Sequence, residues 1–256
     1  MKISIITVTF NSIKYIKDCL ASVKSQNYLN IEHIVVDGAS DDGTLSLLKS
    51  NKEQFTKIIS EPDKGVYHAM NKGIELAKGD IIGFLNSDDF YTTNKVLSSV
   101  AEIFKEDKSI EACYSDLIYV DPINLFKVKR YVRPGIFKFG AFSKGWCPPH
   151  PTFFVRRSVY DQFGKFNVDR DFYLGSDAEL MMRFLEVKKI KVKYVPEIWV
   201  KFRLGGISNK SFKNIWKQNF AILKALKRYN LKSNYLHFFL YKLIIKVKEF
   251  LRKPDF

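Results

Sequence analysis

Strand signals and helix signals alternate through the first 90 residues, which confines the chain to a layered α/β fold with a largely parallel sheet. Lys2–Thr9 is an apolar run rich in β-branched residues (Ile3, Ile5, Ile6, Thr7, Val8, Thr9). It reads as a strand and not as a signal peptide, since no small-residue cleavage site follows it. Asn11 and Ser12 break that strand and are placed to cap a helix reaching about Ser25, with Ile13, Ile16, Leu20 and Val23 on one stripe. Ile31–Val36 is the second strand, and Asp37–Thr44 is a turn-rich loop opening another helix. Lys57–Ser60 predicts a short third strand, Val66–Ala77 a helix, and Asp80–Leu85 a fourth strand that ends at Asn86-Ser87-Asp88-Asp89.

In open parallel sheets, ligands bind outside the carboxyl ends of the strands. Here those ends carry Thr9–Asn11, Asp37–Asp42 and Asn86–Asp89, so polar side chains gather at that edge. The first strand–helix turn, Thr9-Phe10-Asn11-Ser12, lacks the GxGxxG of dinucleotide enzymes, and no GxxxxGK[ST] occurs. What remains is nucleotide binding without a glycine cradle, where a metal would neutralise the phosphates. Asp88 and Asp89, adjacent after a buried strand, repel unless a cation or donors offset the cost. Magnesium commonly binds through one or two carboxylates plus substrate phosphates; a solvated turn is the competing reading. Asp37 either accepts hydrogen bonds from a base or ribose or closes an Asx-turn. For Asp41, Asp42 and Thr44 the turn reading is preferred.

Charge divides the chain. Residues 1–120 hold 13 Lys/Arg against 17 Asp/Glu, whereas residues 210–256 alone hold 12 basic and 2 acidic residues. That split suggests cation chemistry in front and an anionic surface behind. Cys19, Cys113 and Cys147 fit no zinc or CxxC pattern, which favours a reducing compartment over a disulfide framework. No run of about 18 apolar residues is present, so no classical membrane span is expected.

Four ordered segments resemble the opening of a family-2 glycosyltransferase: Ser4–Asn11, Val35–Thr44, Glu61-Pro62-Asp63-Lys64-Gly65-Val66-Tyr67-His68-Ala69-Met70-Asn71-Lys72-Gly73, and Gly79–Asp89. The subgroup resembled builds bacterial capsule, exopolysaccharide and O-chain. The resemblance implies the GT-A fold: a Rossmann-like, mostly parallel central sheet flanked by helices, here with a C-terminal helical extension. It also implies a nucleotide-diphosphate sugar donor, a divalent metal (Mn2+ or Mg2+) and inversion at the anomeric carbon.

Carried over to this sequence, the resemblance places Thr9 and Asn11 at the nucleotide pocket and Asp37 against the base. Asp63, Lys64 and Asn71 would lie near the nucleotide or its sugar. Asn86–Asp89 matches the DxD-type element, with Asp89 as metal ligand and Asp88 beside ribose or metal, although Asn86 replaces the first carboxylate of a strict DxD. The segment Cys147–Phe154 resembles the stretch before the acceptor site, where His150 either touches sugar or is a structural histidine. Gly175–Phe184 resembles the motif in which a carboxylate opening a helix is the catalytic base. That residue is Asp177, with Glu179 as an acceptor-binding candidate, and a plain helix cap is the alternative. Phe202–Ser208 resembles a loop closing over the donor diphosphate, with Arg203 as its cation.

These readings divide the chain into a glycosyltransferase domain at 1–209 (a donor half to 120, an acceptor and base half after it) and a basic helical tail at 210–256. In the tail, Leu236, Phe239, Leu240, Leu243, Ile244, Val247, Phe250 and Leu251 form one helical stripe, and Lys242, Lys246, Glu249 and Lys253 another. Such a helix suits an anionic membrane interface; packing on the domain or on a second subunit is the alternative. The expected activity is transfer of a sugar to a polyprenyl-diphosphate-linked saccharide, in the cytoplasm or at the inner face of the plasma membrane. A polyprenyl-phosphate sugar synthase is the near alternative. A non-catalytic nucleotide-sugar binder or a nucleic-acid-binding protein is the remote one; the basic excess lies away from the strand ends, and nucleic acid is not the expected partner.

Overall fold

The structure, a computed structural model, describes residues 1–205 and 212–254. Its strands are β1 (Ile3–Thr9), β2 (Ile31–Asp37), β3 (Lys57–Ser60), β4 (Ile81–Phe84), β5 (Phe90–Tyr91), β6 (Ala112–Val120), β7 (Val128–Val132), β8 (Phe154–Arg156) and β9 (Val192–Arg203). Its α-helices are α1 (Ile16–Lys24), α2 (Thr44–Ser50), α3 (Val66–Leu76), α4 (Val96–Glu106), α5 (Arg157–Phe163), α6 (Ser176–Met182), α7 (Phe212–Arg228) and α8 (Tyr235–Leu251).

The strands form one sheet in the order β3-β2-β1-β4-β8-β6-β9-β5, with β7 paired to β6. The first four are parallel, β8 is antiparallel to both neighbours, and β9 runs parallel to β6. Register aligns Thr9 with Asp37 and Asp37 with Ser60, so three polar side chains stand in a row along the carboxyl edge. The α/β reading and the expected early strands hold to within a residue or two. The first helix differs. Asn11 takes a left-handed φ of 49° and the Ser12 carbonyl accepts from Tyr15 and Ile16 N–H, so a turn intervenes and the helix begins at Ile16.

Alternation along β1 fills both layers. Ile3 and Ile5 pack with Cys19 and Val23 of α1 and with the buried face of α4, while Ile6 and Val8 pack beneath α3. The second layer extends through α6 to Ala221, Ile222, Ala225 and Leu226 of α7, so the segment after residue 210 shares the main core. Two glycines permit this closeness. A Cβ at Gly73 would stand 2.4 Å from the Ile6 side chain, and one at Gly175 would stand 2.7 Å from Ala221 Cβ. Overpacking of this kind typically costs about 1–3 kcal/mol.

Helix α8 meets the domain with its polar stripe. Arg130 of β7 donates through Nε to Glu249 Oε2 at 2.7 Å, and Lys242 Nζ donates to Asn219 Oδ1 of α7 at 2.6 Å. Desolvation at this contact lowers the Lys242 ammonium to about 8. Phe238 is fully buried beside them, and the leucines of the apolar stripe face outward.

Candidate active site

At the carboxyl edge the backbone is tied loop to loop before any side chain is free to act. Asn11 N–H donates to Ser40 Oγ at 2.8 Å, and Asn11 Oδ1 accepts from Asp41 N–H at 3.0 Å. Asp42 accepts from Ile13 N–H at 3.0 Å and from Thr44 N–H at 2.9 Å, closing the turn its sequence suggested. Asp37 is fully buried and accepts from Ser40 N–H at 3.0 Å, Ser40 Oγ at 2.5 Å and Ser60 Oγ at 2.6 Å. Its carboxylate is thus occupied in holding the pocket wall. Thr9 Oγ1, by contrast, is buried in this row and has no hydrogen-bond partner.

The third motif brings charge to the same edge. Lys72 of α3 bridges Glu61 at 2.5 Å and Asp63 at 2.7 Å, a pair of contacts the sequence did not announce. Lys64 is exposed beside them. Asn71 departs from the donor role that the resemblance implies. Its Nδ2 donates to the Phe166 carbonyl and its Oδ1 accepts from Phe166 N–H, both at 2.9 Å, so the amide clamps the 166 segment onto α3.

Asp88 and Asp89 follow β4, and the short β5 after them pairs with β9, which carries Arg203 at its end. Asn86 Nδ2 donates to Asp89 Oδ2 at 2.8 Å, leaving Asp89 Oδ1 buried without a hydrogen-bond partner. Burial pushes the Asp89 carboxyl well above the usual carboxylate range, and the charge of Asp88 adds to the rise; Asn86 and Arg203 oppose it. Burial raises Asp88 as well, against the nearby Arg203. Arg203 is 2% exposed and pairs through Nη2 with Asp18. Its guanidinium carbon lies 4.8 Å from the Tyr15 ring centre and 5.1 Å from that of Phe90, while Nε and Nη1 have no hydrogen-bond partner. The loop expected to follow lies outside the described residues from Gly206 to Ser208.

An unsatisfied buried carboxylate oxygen and two carboxyl groups raised by burial suit an oxygen-ligated divalent ion. Among the described residues no cluster of three or more His, Cys, Asp or Glu could hold a metal alone. The residues therefore fit an ion that takes its remaining ligands from phosphate and water.

The base candidate is held by a contact between distant segments. Tyr67 lies in the first turn of α3, just past the end of β3, and its hydroxyl donates to Asp177 Oδ1 at 2.9 Å. Burial, with the Asp177 charge, pushes the Tyr67 phenol well up, so it stays a donor. Asp177 is half-buried at the start of α6, and among the described residues its second oxygen accepts no side-chain hydrogen bond. His150 packs against the rings of Phe84 at 5.2 Å and Phe166 at 5.5 Å; burial lowers its pKa and the Asp177 charge opposes the drop.

Glu179 corrects its expected role. It is 1% exposed and is consumed by Arg183 Nε at 3.0 Å and by the Tyr229 hydroxyl. Arg183 also donates to the carbonyls of Phe163, Gly164 and Lys165, so this pair braces the loop behind α6. Tyr67 was missed because its partner lies 110 positions away; only its place in the third motif hinted at use.

Comparison with known proteins gives the family and the fold. The family model "Glycosyl transferase family 2" matches residues 4–164. The chain is 32% identical to the uncharacterized glycosyltransferase Rv1514c of Mycobacterium tuberculosis, over 71% of this chain and 68% of that protein. It is 28% identical to the Escherichia coli UDP-Glc:alpha-D-GlcNAc-diphosphoundecaprenol beta-1,3-glucosyltransferase WfaP, over 88% of this chain and 86% of that one. Its fold matches the mannosyltransferase PcManGT of Pyrobaculum calidifontis, solved with GDP-Man and Mn2+, with a TM-score of 0.62 and 17% identity over 99% and 81% of the two chains.

Proposed function

The chain belongs to glycosyl transferase family 2 and has the GT-A fold, and from that premise we propose that it moves a sugar, with inversion, from a nucleotide-diphosphate sugar to a polyprenyl-diphosphate-linked saccharide during bacterial surface polysaccharide synthesis. The observation that carries the reading is a chain of contacts between two different groups: Asp177, fixed by Tyr67, acts on His150, whose ring lies 5.2 Å from that of Phe84 at the end of the strand leading to Asp88 and Asp89. Asp88, Asp89 and Arg203 offer charge for a diphosphate, and Asp177, fixed by Tyr67, offers a carboxylate oxygen for a hydroxyl proton. The relatives' substrates support the donor and acceptor classes: WfaP is named for a UDP-sugar and a diphosphoundecaprenol-linked acceptor.

In this reaction the acceptor hydroxyl hydrogen-bonds to Asp177 Oδ2 and passes its proton there as the oxygen bonds to the anomeric carbon. The bond to the nucleotide diphosphate breaks on the opposite face. Tyr67 keeps Oδ1 engaged, so the proton arrives at one defined atom. Such a base typically contributes about 10²–10⁴-fold. Asp89, with Asp88 beside it, would hold a divalent cation, whose chemistry when bound is to neutralise charge on the departing diphosphate. The free Nε and Nη1 of Arg203 are available to the same oxygens. Thr9 and Asp63 border the nucleotide, Asn11 and Asp37 shape its pocket, and Lys64 lies at the rim. His150 packs beside the sugar and acceptor. No described helix is long and apolar enough to cross a membrane. A lipid-linked acceptor, as named for WfaP, is the reason to place the enzyme in the cytoplasm at the inner face of the plasma membrane.

The test is thermal-shift screening against nucleoside diphosphates and nucleotide sugars with and without manganese, followed by transfer assays on lipid-linked saccharides. A manganese-dependent rise in Tm with one nucleotide and an inverted product are expected. Failure of every nucleotide sugar to bind or react would overturn the reading.

A further inference from the structure

An amphipathic helix packed on a globular domain normally turns its apolar stripe to the core and its charges to water. Helix α8 does the reverse. Leu236, Leu240, Leu243, Val247, Phe250 and Leu251, spaced 4, 3, 4, 3 and 1, all face outward, with Leu236 79% and Leu243 61% exposed. The opposite face is fastened by Arg130 on Glu249, at 2.7 Å from both Nε and Nη2, by Lys242 on Asn219, and by fully buried Phe238. Trp216 and Phe220 of α7, both about half exposed, continue the apolar surface, with the Trp216 ring tilted against that of Phe239 at 5.3 Å. The anchoring ion pair is therefore spent on presenting leucines to the outside. A contiguous apolar surface of this kind marks an interaction site.

We propose that this outward face of α8 docks onto an anionic lipid bilayer, lying in the plane of the interface while its polar face stays on the domain. Charge selects the occupant. Glu249 is the acidic residue of α8, and it is buried against Arg130, whereas Lys232, Lys248, Arg252 and Lys253 are exposed around the apolar strip. Residues 210–256 carry 12 basic and 2 acidic residues. Two copies pressed together on this face would bring like charges into contact, whereas anionic headgroups complement the rim as acyl chains receive the leucines. The same helix packs against the 142–145 turn that leads to Cys147 and His150, as Lys242 Cβ lies 3.0 Å from where a Cβ at Gly145 would stand. A bilayer on the outer face would thus lie behind the acceptor side of the site, one helix away. The proposal does not depend on the identity of the donor.

Flotation of the full chain with vesicles tests it. Binding is expected to phosphatidylcholine vesicles containing phosphatidylglycerol, weak binding to pure phosphatidylcholine, and a loss of affinity as salt rises. The double variant Leu240→Asp with Leu243→Asp alters exposed positions only and is expected to weaken binding at least tenfold, with Tm and nucleotide binding unchanged. Absence of binding to the anionic vesicles would overturn the proposal, as would equal binding by the double variant. So would a dimer in lipid-free sedimentation that the double variant dissolves, which would assign the face to a second copy.

Discussion

Thr9, Asp37 and Ser60 stand side by side because three parallel strands end in register, whereas Asp177 is held in place by a tyrosine from a different layer, 110 positions earlier. The first region is built from neighbours in sequence and local turns. The second is built from single contacts between distant elements: Tyr67 with Asp177, Asn71 with Phe166, and Tyr229 with Glu179. The difference has a consequence for mutation. Loss of one group at the strand ends should remove chemistry while the fold survives. Loss of one clasp on the α6 side should disturb fold and chemistry together, in proportions set by which clasp is cut.

Setting aside Asp177 itself, the largest effect expected is that of Asp89→Ala. A loss on the order of the 10²–10³-fold that removal of one oxyanion-hole donor costs is expected in transfer assays, together with loss of any manganese effect on Tm. Next is Glu179→Ala. Breaking a buried ion pair costs about 3–5 kcal/mol, so denaturant unfolding should show a marked destabilisation, while KM for the acceptor in the folded fraction stays near wild type. A raised KM with unchanged stability would return Glu179 to the acceptor site. Tyr67→Phe removes one hydrogen bond to a charged group, worth about 1.5–3 kcal/mol. It should lower kcat roughly tenfold or more, with donor affinity unaltered.

The smallest effect is a gain. Folding raises the pKa of Asp89, so the native state holds its proton more tightly than the unfolded chain does. That contribution to stability is complete below the ordinary carboxylate range and is lost as pH climbs through the raised value. In metal-free buffer at neutral pH, Asp89→Asn should therefore melt a few degrees above wild type, about 2–4 °C for each kcal/mol recovered. The gain should vanish as the buffer is acidified.

Much of the strand-end region was legible in sequence because its signals are local. A β-branched run, a turn motif and a carboxylate pair each lie within ten or so residues. The α6 side was legible only as far as its helix. Asp177 and Glu179 are two positions apart in that helix, and nothing in the segment itself says that one faces Tyr67 and the other Arg183 and Tyr229. Asn71 sat in a quoted motif, but its amide is used by the Phe166 backbone, 95 positions away. Helix α8 shows the same limit. Its two stripes were plain from spacing, but which one faces the domain was decided by Arg130, a residue on β7 that supplies the counter-charge for Glu249.

The central claim is the division of labour between the strand-end charges and Asp177, and calorimetric titration of the nucleotide donor into Asp177→Asn tests it most directly. With manganese present, the variant should bind the donor within about twofold of wild type while transfer falls by about 10²–10⁴-fold. Loss of donor binding in that variant, or transfer undiminished, would contradict the account.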